Sequence, residues 1–303
     1  MKTVVIFGGS GFVGKHIIRR IAKNGYKIII PYITQVNAAK LRLLGSTGQI
    51  IPIKFQSIKE DKIQSIVSNS DVIINLKTLW DEKKQSYEQG IFGFNLSLVE
   101  AIKKIKKDTQ FIYFSGVGID QNKNSERSNS IYKSEELIKK HIKNSIIIRP
   151  GVIIGGGDQF LKGLLPLFKT FFFIPLFGTG MSKFQPVFID DISVAINKLI
   201  SSSLLGSHTF EFVGNETFTY RSFYNFLSKC FNKTRVFIPV PFNIIKIVLA
   251  IMEKTPISPL NREQLKLFEA DNLASKKFKL FSDLDINPQD VRQVISNIIN
   301  KNS

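Results

Sequence analysis

Seven residues close to the N-terminus, Gly8-Gly9-Ser10-Gly11-Phe12-Val13-Gly14, place glycines at the spacing Gly-x-x-Gly-x-x-Gly. An apolar run over residues 3–7 precedes them, and a pattern with Ile17, Ile18 and Ile21 on one helical face follows. A strand, a glycine-rich turn and a helix N-terminus together favour an anion, because backbone N–H groups point outward and the missing Cβ atoms allow close approach. We therefore expect a diphosphate to bind at Gly8, Ser10, Gly11, Phe12, Val13 and Gly14.

The elements around this turn are predicted from hydrophobic periodicity. Over residues 1–155, short β-rich runs alternate with helical patterns, which is typical of a doubly wound parallel sheet. The predicted strands are 3–7, 27–31, 50–54, 72–76, 111–115 and 145–149, and the predicted helices include 98–107 and 131–142. The polar segment 120–130 is predicted to be a mobile loop.

After residue 150 this alternation stops. Residues 184–189 and 191–200 are predicted to form one more strand and helix that return to the sheet. The expected fold is a Rossmann-type domain over residues 1–160, rejoined by 183–203, and a smaller C-terminal α/β domain over 161–303, for substrate or docking.

Length and composition exclude several classes. A chain of 303 residues can bury a large core. Its one cysteine, Cys230, excludes a disulfide framework and a thiolate metal site, and the three histidines show no ligand spacing, so no metal is expected. Because the first strand begins at once, no targeting segment is expected, and apolar stretches such as 164–177 are too short to span a bilayer.

The formal net charge of +18 has three interpretations. Solvated lysines on the surface are the simplest. Attraction to an anionic membrane surface or an acidic partner is the second. Nucleic acid comes last and is not expected, because no recognition helix, zinc module or basic-aromatic motif is present.

Residues 242–252 are apolar nearly all round, which predicts a helix that is buried, docked on a partner or lying at a membrane surface, with burial the commonest outcome.

The chain resembles the extended and atypical short-chain dehydrogenase/reductase superfamily, which includes the NAD-dependent epimerase/dehydratase group. The resemblance rests on the glycine turn and on four further motifs: 71–76 (Asp-Val-Ile-Ile-Asn-Leu), 111–115 (Phe-Ile-Tyr-Phe-Ser), Arg149-Pro150-Gly151, and 186–191 (Pro-Val-Phe-Ile-Asp-Asp). It implies a Rossmann fold and an NAD(P)(H) cofactor. It also extends the expected cofactor contacts to Ile33, Asn75, Leu76, Lys77, Ser115, Lys133, Pro150 and Val152.

A narrower likeness runs the full length of the chain, to the alpha-subcomplex subunit nine family of respiratory complex I and its bacterial relatives. The motifs that carry it are 29–32 (Ile-Ile-Pro-Tyr), 41–49 (Leu-Arg-x-x-Gly-x-x-Gly-Gln), 158–160 (Asp-Gln-Phe), 185–187 (Gln-Pro-Val), Pro241-Phe242, 261–264 (Asn-Arg-Glu-Gln) and Asp271-Asn272. This likeness implies complex I subunits as partners. It also implies a cytoplasmic location, peripheral on the cytoplasmic face of a bacterial inner membrane.

Active members of the superfamily use a Tyr-x-x-x-Lys pair on one helix face, where the lysine lowers the phenol pKa and holds the nicotinamide ribose. Here Lys133 aligns with that lysine, but Asn129 stands four residues earlier, and an amide has no proton to exchange near neutral pH. Tyr132 diverges from Lys133 by about 100° around the helix. Ser115 remains, as a cofactor contact or as a hydroxyl satisfied within its loop. Lys133 is expected to contact ribose or phosphate.

The choice of dinucleotide stays open. Relatives of the complex I kind carry an arginine after the Pro-Tyr pair and are associated with NADPH, whereas this chain has Ile33 and Thr34. The acidic residue that usually contacts adenine after the third strand is also replaced, near Ser57-Ile58. Either another basic residue contacts a 2′-phosphate, or the preference is weak or shifted towards NAD(H).

Three hypotheses follow. The first is an accessory or assembly subunit of complex I that binds NAD(P)(H) without turnover. The second is an active NAD(P)-dependent reductase, epimerase or dehydratase acting on a small carbonyl or quinone-related substrate, with Tyr132 as the acid. The third is a sensor that reports the NADPH/NADP state to a partner.

Overall fold

The computed structural model describes residues 1–33, 36–105, 108–121, 125–202, 204–252, 262–275 and 277–301. The strands are β1 Thr3–Phe7, β2 Lys27–Tyr32, β3 Ile50–Lys54, β4 Val72–Asn75, β5 Gln110–Phe114, β6 Ser145–Pro150, β7 Val152–Ile154, β8 Phe173–Phe177, β9 Lys183–Phe184, β10 Pro186–Phe188, β11 Ser207–Phe212, β12 Phe218–Thr219 and β13 Val236–Val240. The helices are α1 Phe12–Ala22, α2 Ala38–Arg42, α3 Asp61–Ser68, α4 Phe94–Lys103, α5 Glu126–His141, α6 Gln159–Thr170, α7 Ile189–Ser201, α8 Tyr220–Cys230, α9 Phe242–Met252, α10 Arg262–Glu269 and α11 Val291–Lys301. A π-helical turn, Glu88–Gly93, leads into α4, and a 3₁₀ turn covers Phe281–Leu284.

The chain divides into two compact units. Unit 1 contains Met1–Pro150, Ile189–Phe212 and Lys276–Ile286, and unit 2 contains Gly151–Phe188, Val213–Ser275 and Asn287–Ser303.

Unit 1 is built on a seven-stranded sheet in the order β11-β6-β5-β4-β1-β2-β3, with parallel pairing throughout. The strands are continuous apolar runs because helices cover both faces of a parallel sheet, so that successive side chains are buried alternately on the two sides. Val5 and Phe7 join the core cluster that α3, α4 and α5 cover, while Val4 and Ile6 are buried on the opposite face. The Rossmann-type fold class predicted from the sequence is confirmed.

Two sequence predictions about unit 1 are wrong. The segment 120–130 is not a loop throughout, because α5 begins at Glu126, where the Ser125 hydroxyl caps the helix by accepting from the Ser128 amide. Polar side chains concealed the helix, since α5 buries serine, glutamate and arginine beside its apolar residues. Residues 122–124 of that segment lie outside the described residues.

The second concerns 184–189. Its central part, β10, pairs with β7 in a separate two-stranded sheet rather than with the seven-stranded sheet. The seventh strand of unit 1 is β11, which pairs with β6. The helix that follows, α7, does belong to unit 1 and packs on α1, where Asp190 Oδ1 lies 3.2 Å from His16 Nδ1 and Asn24 donates to Asn197.

Among its described residues, unit 2 holds three two-stranded sheets, β7–β10, β8–β13 and β9–β12, together with α6, α8, α9, α10 and α11. Its core is aromatic: the Phe184 ring stacks on Tyr220 at a centroid distance of 4.6 Å and contacts Phe223 edge-on at 5.2 Å. A second, smaller cluster forms where Ile245 and Leu249 of α9 pack with Leu265 of α10.

Helix α9 is half buried rather than buried all round. Ile245 and Leu249 face the protein, whereas Ile244, Ile247 and Val248 are exposed. In the part of the chain that the structure describes, no helix is both long enough and apolar enough to cross a membrane.

Candidate functional site

The glycine turn connects β1 to α1 and is tightly packed at two of its glycines. Gly8 has a φ of +77°, and a Cβ there would lie 2.9 Å from the backbone of Leu76 and Lys77. A Cβ on Gly14 would lie 2.5 Å from Gly9 Cα, so α1 can approach the turn only because Gly14 lacks a side chain. These two glycines are required for the fold of the turn.

Gly11 differs from them. It is the N-cap residue of α1, its backbone is extended, and its α-helix has no side-chain capping bond. A Cβ on Gly11 would meet only the Gly8 carbonyl oxygen, at 3.4 Å, and is otherwise in open space. The open space lies at the positive end of the helix dipole, in front of the amides of Phe12 and Val13. The residues therefore fit a diphosphate, with Ser10 beside Gly11.

The carboxyl end of β4 is fixed by a buried amide pair. Asn75 donates to Asn95 Oδ1 at 2.8 Å and accepts from the Lys77 amide at 3.0 Å, while the Leu76 amide donates to the Phe7 carbonyl. Asn75 thus uses both ends of its side chain inside the protein, and the main chain of Leu76 and Lys77 forms the wall against which Gly8 packs.

Lys77 is a partly buried cation beside this wall. Its Nζ donates to the Gly90 carbonyl at 2.9 Å and lies 4.2 Å from the centre of the Phe94 ring. Burial lowers the pKa of Lys77 to about 8. Gly90 belongs to the π-helical turn, a geometry that occurs frequently at functional sites.

Two positions that govern dinucleotide choice in the proteins this chain resembles follow the strands β2 and β3. Ile33 follows β2 and is exposed, and Thr34 lies outside the described residues. After β3, the Glu60 carboxylate accepts from the Ser57 amide at 3.0 Å. Hydrogen bonding to Lys62 and to the backbone amides of 56 and 57 holds the pKa of Glu60 down at about 2. A carboxylate is thus present three residues after Ser57, and we did not identify it from the sequence.

Ser115 follows β5, and its amide donates to the Ile148 carbonyl at 2.8 Å. Its Oγ is buried and has no hydrogen-bond partner among the described residues, so it is not a hydroxyl satisfied within its loop. A buried, unpaired hydroxyl is unfavourable by itself, and a polar ligand group would satisfy it. On the neighbouring strand, the Pro150 carbonyl accepts from the Val117 amide. Val152 belongs to unit 2, in β7.

Helix α5 presents Asn129, Tyr132 and Lys133 as exposed residues. Asn129 and Lys133 lie one helical turn apart on the same face. The Lys133 Nζ lies 3.2 Å from Glu88 Oε2, on the π-helical turn, and 5.9 Å from the centre of the Phe92 ring. The helix therefore keeps the lysine of the pair and carries an amide where the phenol would be.

A buried ion pair fixes the side of α5 that faces the protein interior. The Arg149 Nε and Nη2 donate to the two carboxylate oxygens of Glu135 at 2.9 and 2.7 Å, and Nη1 donates to Asp120. These carboxylates raise the pKa of Arg149 against the opposing effect of burial. The arginine of the Arg-Pro motif thus has a structural role, because it binds the buried side of α5 through Glu135.

Three other tyrosines of unit 1 are buried or hydrogen-bonded to residues outside the exposed face of α5. Tyr113 is buried, which raises its pKa well above the usual value. Tyr87 is buried and donates to the Trp80 carbonyl, and Tyr26 pairs with Ser201 beside α7. Among the residues that the structure describes, no cluster of three His, Cys, Asp or Glu side chains could hold a metal ion.

Residues 4–208 match the model of the NAD dependent epimerase/dehydratase family. The match covers more than half of the chain, which therefore belongs to this family.

Among curated proteins, the chain is similar to two respiratory subunits. One is the NADH dehydrogenase [ubiquinone] 1 alpha subcomplex subunit 9, mitochondrial, of Arabidopsis thaliana, with 28% identity over 95% of this chain and 74% of the relative. The other is the NADH-ubiquinone oxidoreductase 40 kDa subunit, mitochondrial, of Neurospora crassa, with 26% identity over 95% of this chain and 76% of the relative. The resemblance to the subunit nine family is thereby confirmed.

Solved structures share the fold. The UDP-glucuronic acid 4-epimerase of Bacillus cereus, in complex with UDP-glucuronic acid and NAD, has a TM-score of 0.71 and 18% identity, over 99% of this chain and 100% of that chain. The human epimerase family protein SDR39U1 with NADPH has a TM-score of 0.71 and 16% identity, over 98% and 99%. Structural neighbours thus include one with NAD and one with NADPH.

Proposed function

We propose that this chain binds one NAD(P)(H) molecule at the glycine turn, does not turn it over, and serves as an accessory or assembly subunit of respiratory complex I. The observation that carries the proposal is the exposed face of α5, where Lys133 remains and Asn129 replaces the acid–base group. The same unit keeps a glycine turn whose open side fits a diphosphate.

The residues that would hold the cofactor lie at the carboxyl ends of the parallel strands. The amides of Ser10, Gly11, Phe12 and Val13 would bind the diphosphate through the dipole of α1. The Ser115 hydroxyl would gain a polar partner, and Lys133 would contact ribose or phosphate. Leu76, Lys77, Ile33 and Pro150, all in unit 1, complete the proposed set. In enzymes that use this cofactor, the nicotinamide ring donates or accepts a hydride.

Hydride transfer to a carbonyl also needs a proton donor beside the oxygen. Neither Asn129 nor Lys133 supplies a phenol, and Tyr132 points away from the Lys133 direction by about 100°. Ser115 by itself can orient an oxygen but cannot shuttle a proton at neutral pH. These features support a binding role rather than turnover.

The partner is proposed from the relatives. Two of them, in a plant and a fungus, are named as subunits of the NADH:ubiquinone oxidoreductase, and each similarity covers 95% of this chain. A similarity over both units is expected of a protein that keeps the same assembly. For this chain, we propose the corresponding complex and a peripheral position on the cytoplasmic face of the inner membrane.

The first experiment is mass spectrometry of the nucleotide that copurifies with the protein from its own host. We expect a stoichiometric dinucleotide, and its mass distinguishes NADP(H) from NAD(H). The same preparation should transfer no hydride to a panel of carbonyls and quinones. A measurable turnover that Tyr132→Phe abolishes would contradict the proposal and favour an active reductase.

The second experiment compares two glycines of one turn. Gly11→Val places a branched side chain in open space, so we expect the dinucleotide affinity to fall at least about a hundredfold, while the melting temperature of the nucleotide-free protein changes little. Gly14→Val drives a side chain into the Gly9 backbone, so we expect a loss of about 3 kcal/mol of stability. Unchanged cofactor occupancy in Gly11→Val would show that the site lies elsewhere.

The third experiment tests the partner. A tagged copy should copurify with membrane-bound complex I, in wild-type form and as Tyr132→Phe. A protein that migrates as a clean monomer in the soluble fraction, without complex I subunits, would refute the partner and leave dinucleotide binding unaffected.

A further inference from the structure

Unit 2 exposes a set of large apolar side chains on the parallel pair β8–β13. Phe171, Phe172 and Phe173 are each more than half exposed, and Val236 and Ile238 are 41% and 47% exposed. We call these residues, with the exposed Pro175, the aromatic face.

The register of the pair explains why the strand residues of this set share one side, and Phe172, which precedes β8, adjoins them through an edge-on contact with the Phe173 ring at 5.0 Å. Val236 lies opposite Phe173, and Ile238 lies opposite Pro175, and all four are exposed. The intervening pair, Ile174 and Phe237, points to the other side and packs into the core of unit 2. Because side chains alternate along a strand, the two rows of the aromatic face form one surface.

The sequence around the aromatic face contains only one sign of charge. Residues 159–189 and 217–252 include no aspartate or glutamate. Their charged residues are all basic: Lys162, Lys169, Lys183, Arg221, Lys229, Lys233, Arg235 and Lys246. This separation is stronger than the overall excess of +18 requires, since 24 acidic residues are distributed over the rest of the chain.

Two of these lysines lie where the aromatic face begins. The Lys233 ammonium donates to the Lys169 carbonyl at 3.1 Å, and both residues are exposed. The Val236 amide donates to the Phe172 carbonyl, so the lysine pair and the phenylalanines adjoin. Helix α9 also exposes apolar side chains, but its Lys246 pairs with Glu269 at 2.6 Å, which places an acidic group on that side.

We propose that the aromatic face is a docking surface for an anionic lipid bilayer, with the phenylalanines inserted among the headgroups and Lys169 and Lys233 paired with lipid phosphates. Lysine is depleted in protein interfaces, whereas apolar and aromatic insertion beside basic residues is typical of interfacial membrane binding. Each signal by itself gives weak, reversible binding, and stable attachment takes both. The proposal goes beyond dinucleotide binding and does not rest on it.

The test is sedimentation with vesicles of phosphatidylcholine alone or mixed equally with phosphatidylglycerol. The full-length protein should bind the mixed vesicles, bind the neutral ones at least about tenfold more weakly, and dissociate as salt is added. Phe172→Ser/Phe173→Ser should weaken binding to mixed vesicles at least about tenfold, because two exposed rings lose their apolar contact. Lys169→Gln/Lys233→Gln should weaken it about fivefold per lysine, and only on the anionic vesicles.

Matched controls separate this surface from the general excess of positive charge. Leu43→Ser/Leu205→Ser removes two exposed apolar side chains of unit 1, and Lys23→Gln/Lys143→Gln removes two of its exposed lysines. Both controls should bind vesicles like the wild type. Gly11→Val should do so too, and this result would show that vesicle binding is independent of the dinucleotide site. The test variants change exposed residues, and thermal unfolding at the wild-type temperature verifies that they fold.

Three outcomes would overturn the proposal. The wild type could fail to bind anionic vesicles at low salt. The lysine controls could lose as much binding as Lys169→Gln/Lys233→Gln, which would indicate attraction by net charge alone. The phenylalanine variant could keep vesicle binding while losing copurification with a protein complex, which would assign the aromatic face to a protein partner.

Discussion

The glycine turn and the exposed face of α5 belong to the same unit, yet they depend on different parts of the chain. The turn acts through main-chain amides and through side chains that are absent, at Gly8, Gly11 and Gly14. The α5 face would act through particular side chains, and one of them is missing at Asn129. A backbone site tolerates change in its surroundings as long as the glycines remain, whereas one substitution removes an acid–base group. In the proposed function, dinucleotide binding therefore depends on the glycines alone and does not need the acid–base group.

The comparison assumes that α5 is held firmly in place. Arg149→Met should reduce stability by about 3 to 5 kcal/mol, because it leaves the Glu135 carboxylate buried without its bidentate partner. Urea denaturation measures the change. The double variant Arg149→Met/Glu135→Leu should recover most of the loss. A small loss of stability in Arg149→Met would mean that other contacts hold α5. The Arg149–Glu135 pair would then not be what fixes the position of Asn129 and Lys133.

A pH titration of stability tests the burial of Lys77, which lies beside the glycine turn. Burial lowers the pKa of Lys77 from 10.5 to about 8, so the unfolded chain binds this proton more tightly than the folded protein. Its contribution to stability is present above about pH 10.5 and is lost as the pH falls through about 8. Relative to Lys77→Met, the free energy of unfolding of the wild type should rise by about 2 kcal/mol between about pH 8 and pH 10. If the free energy of unfolding changed with pH in the same way in both proteins, Lys77 would be solvated and its pKa would not be lowered by burial.

The smallest expected effect concerns the remaining lysine of the α5 face. Glu88→Gln removes an ion pair between two side chains that are more than half exposed, so stability should change by less than about 0.5 kcal/mol. If Lys133 contacts the dinucleotide, the same variant should tighten its binding severalfold, because the ammonium no longer has a competing carboxylate. Isothermal titration with NADP(H) and NAD(H) reports both affinities. An affinity that is unchanged in Glu88→Gln and in Lys133→Ala would remove Lys133 from the site.

The sequence was sufficient for the glycine turn and the strands next to it, because a buried parallel strand and a turn with fixed glycine spacing are local patterns. It was not sufficient for the start of α5, where buried polar residues such as Arg127 and Ser128 make a helix look like a loop. The seventh strand, β11, was also missed, although its alternation of Thr209, Phe210, Glu211 and Phe212 is a usable signal.

Contacts between distant residues could not be predicted at all. Nothing in the local sequence shows that Lys77 is anchored to Gly90, or that Glu88 pairs with Lys133 across 45 positions. The unpaired hydroxyl of Ser115 likewise follows from packing rather than from spacing. Which side of β8–β13 is exposed also became clear only from the strand register.

The way unit 1 is assembled from three separate segments bears on how the protein must be synthesised. Strand β6 emerges from the ribosome with one edge open, and its partner β11 begins more than fifty residues later. The Lys279 amide, which donates to the Thr209 carbonyl, arrives later still. A nascent chain that stops at Pro150 therefore carries an unpaired parallel edge and lacks the helix that covers α1. We expect such truncated forms to aggregate or bind chaperones, and the nucleotide domain to become competent only when nearly the whole chain has been made.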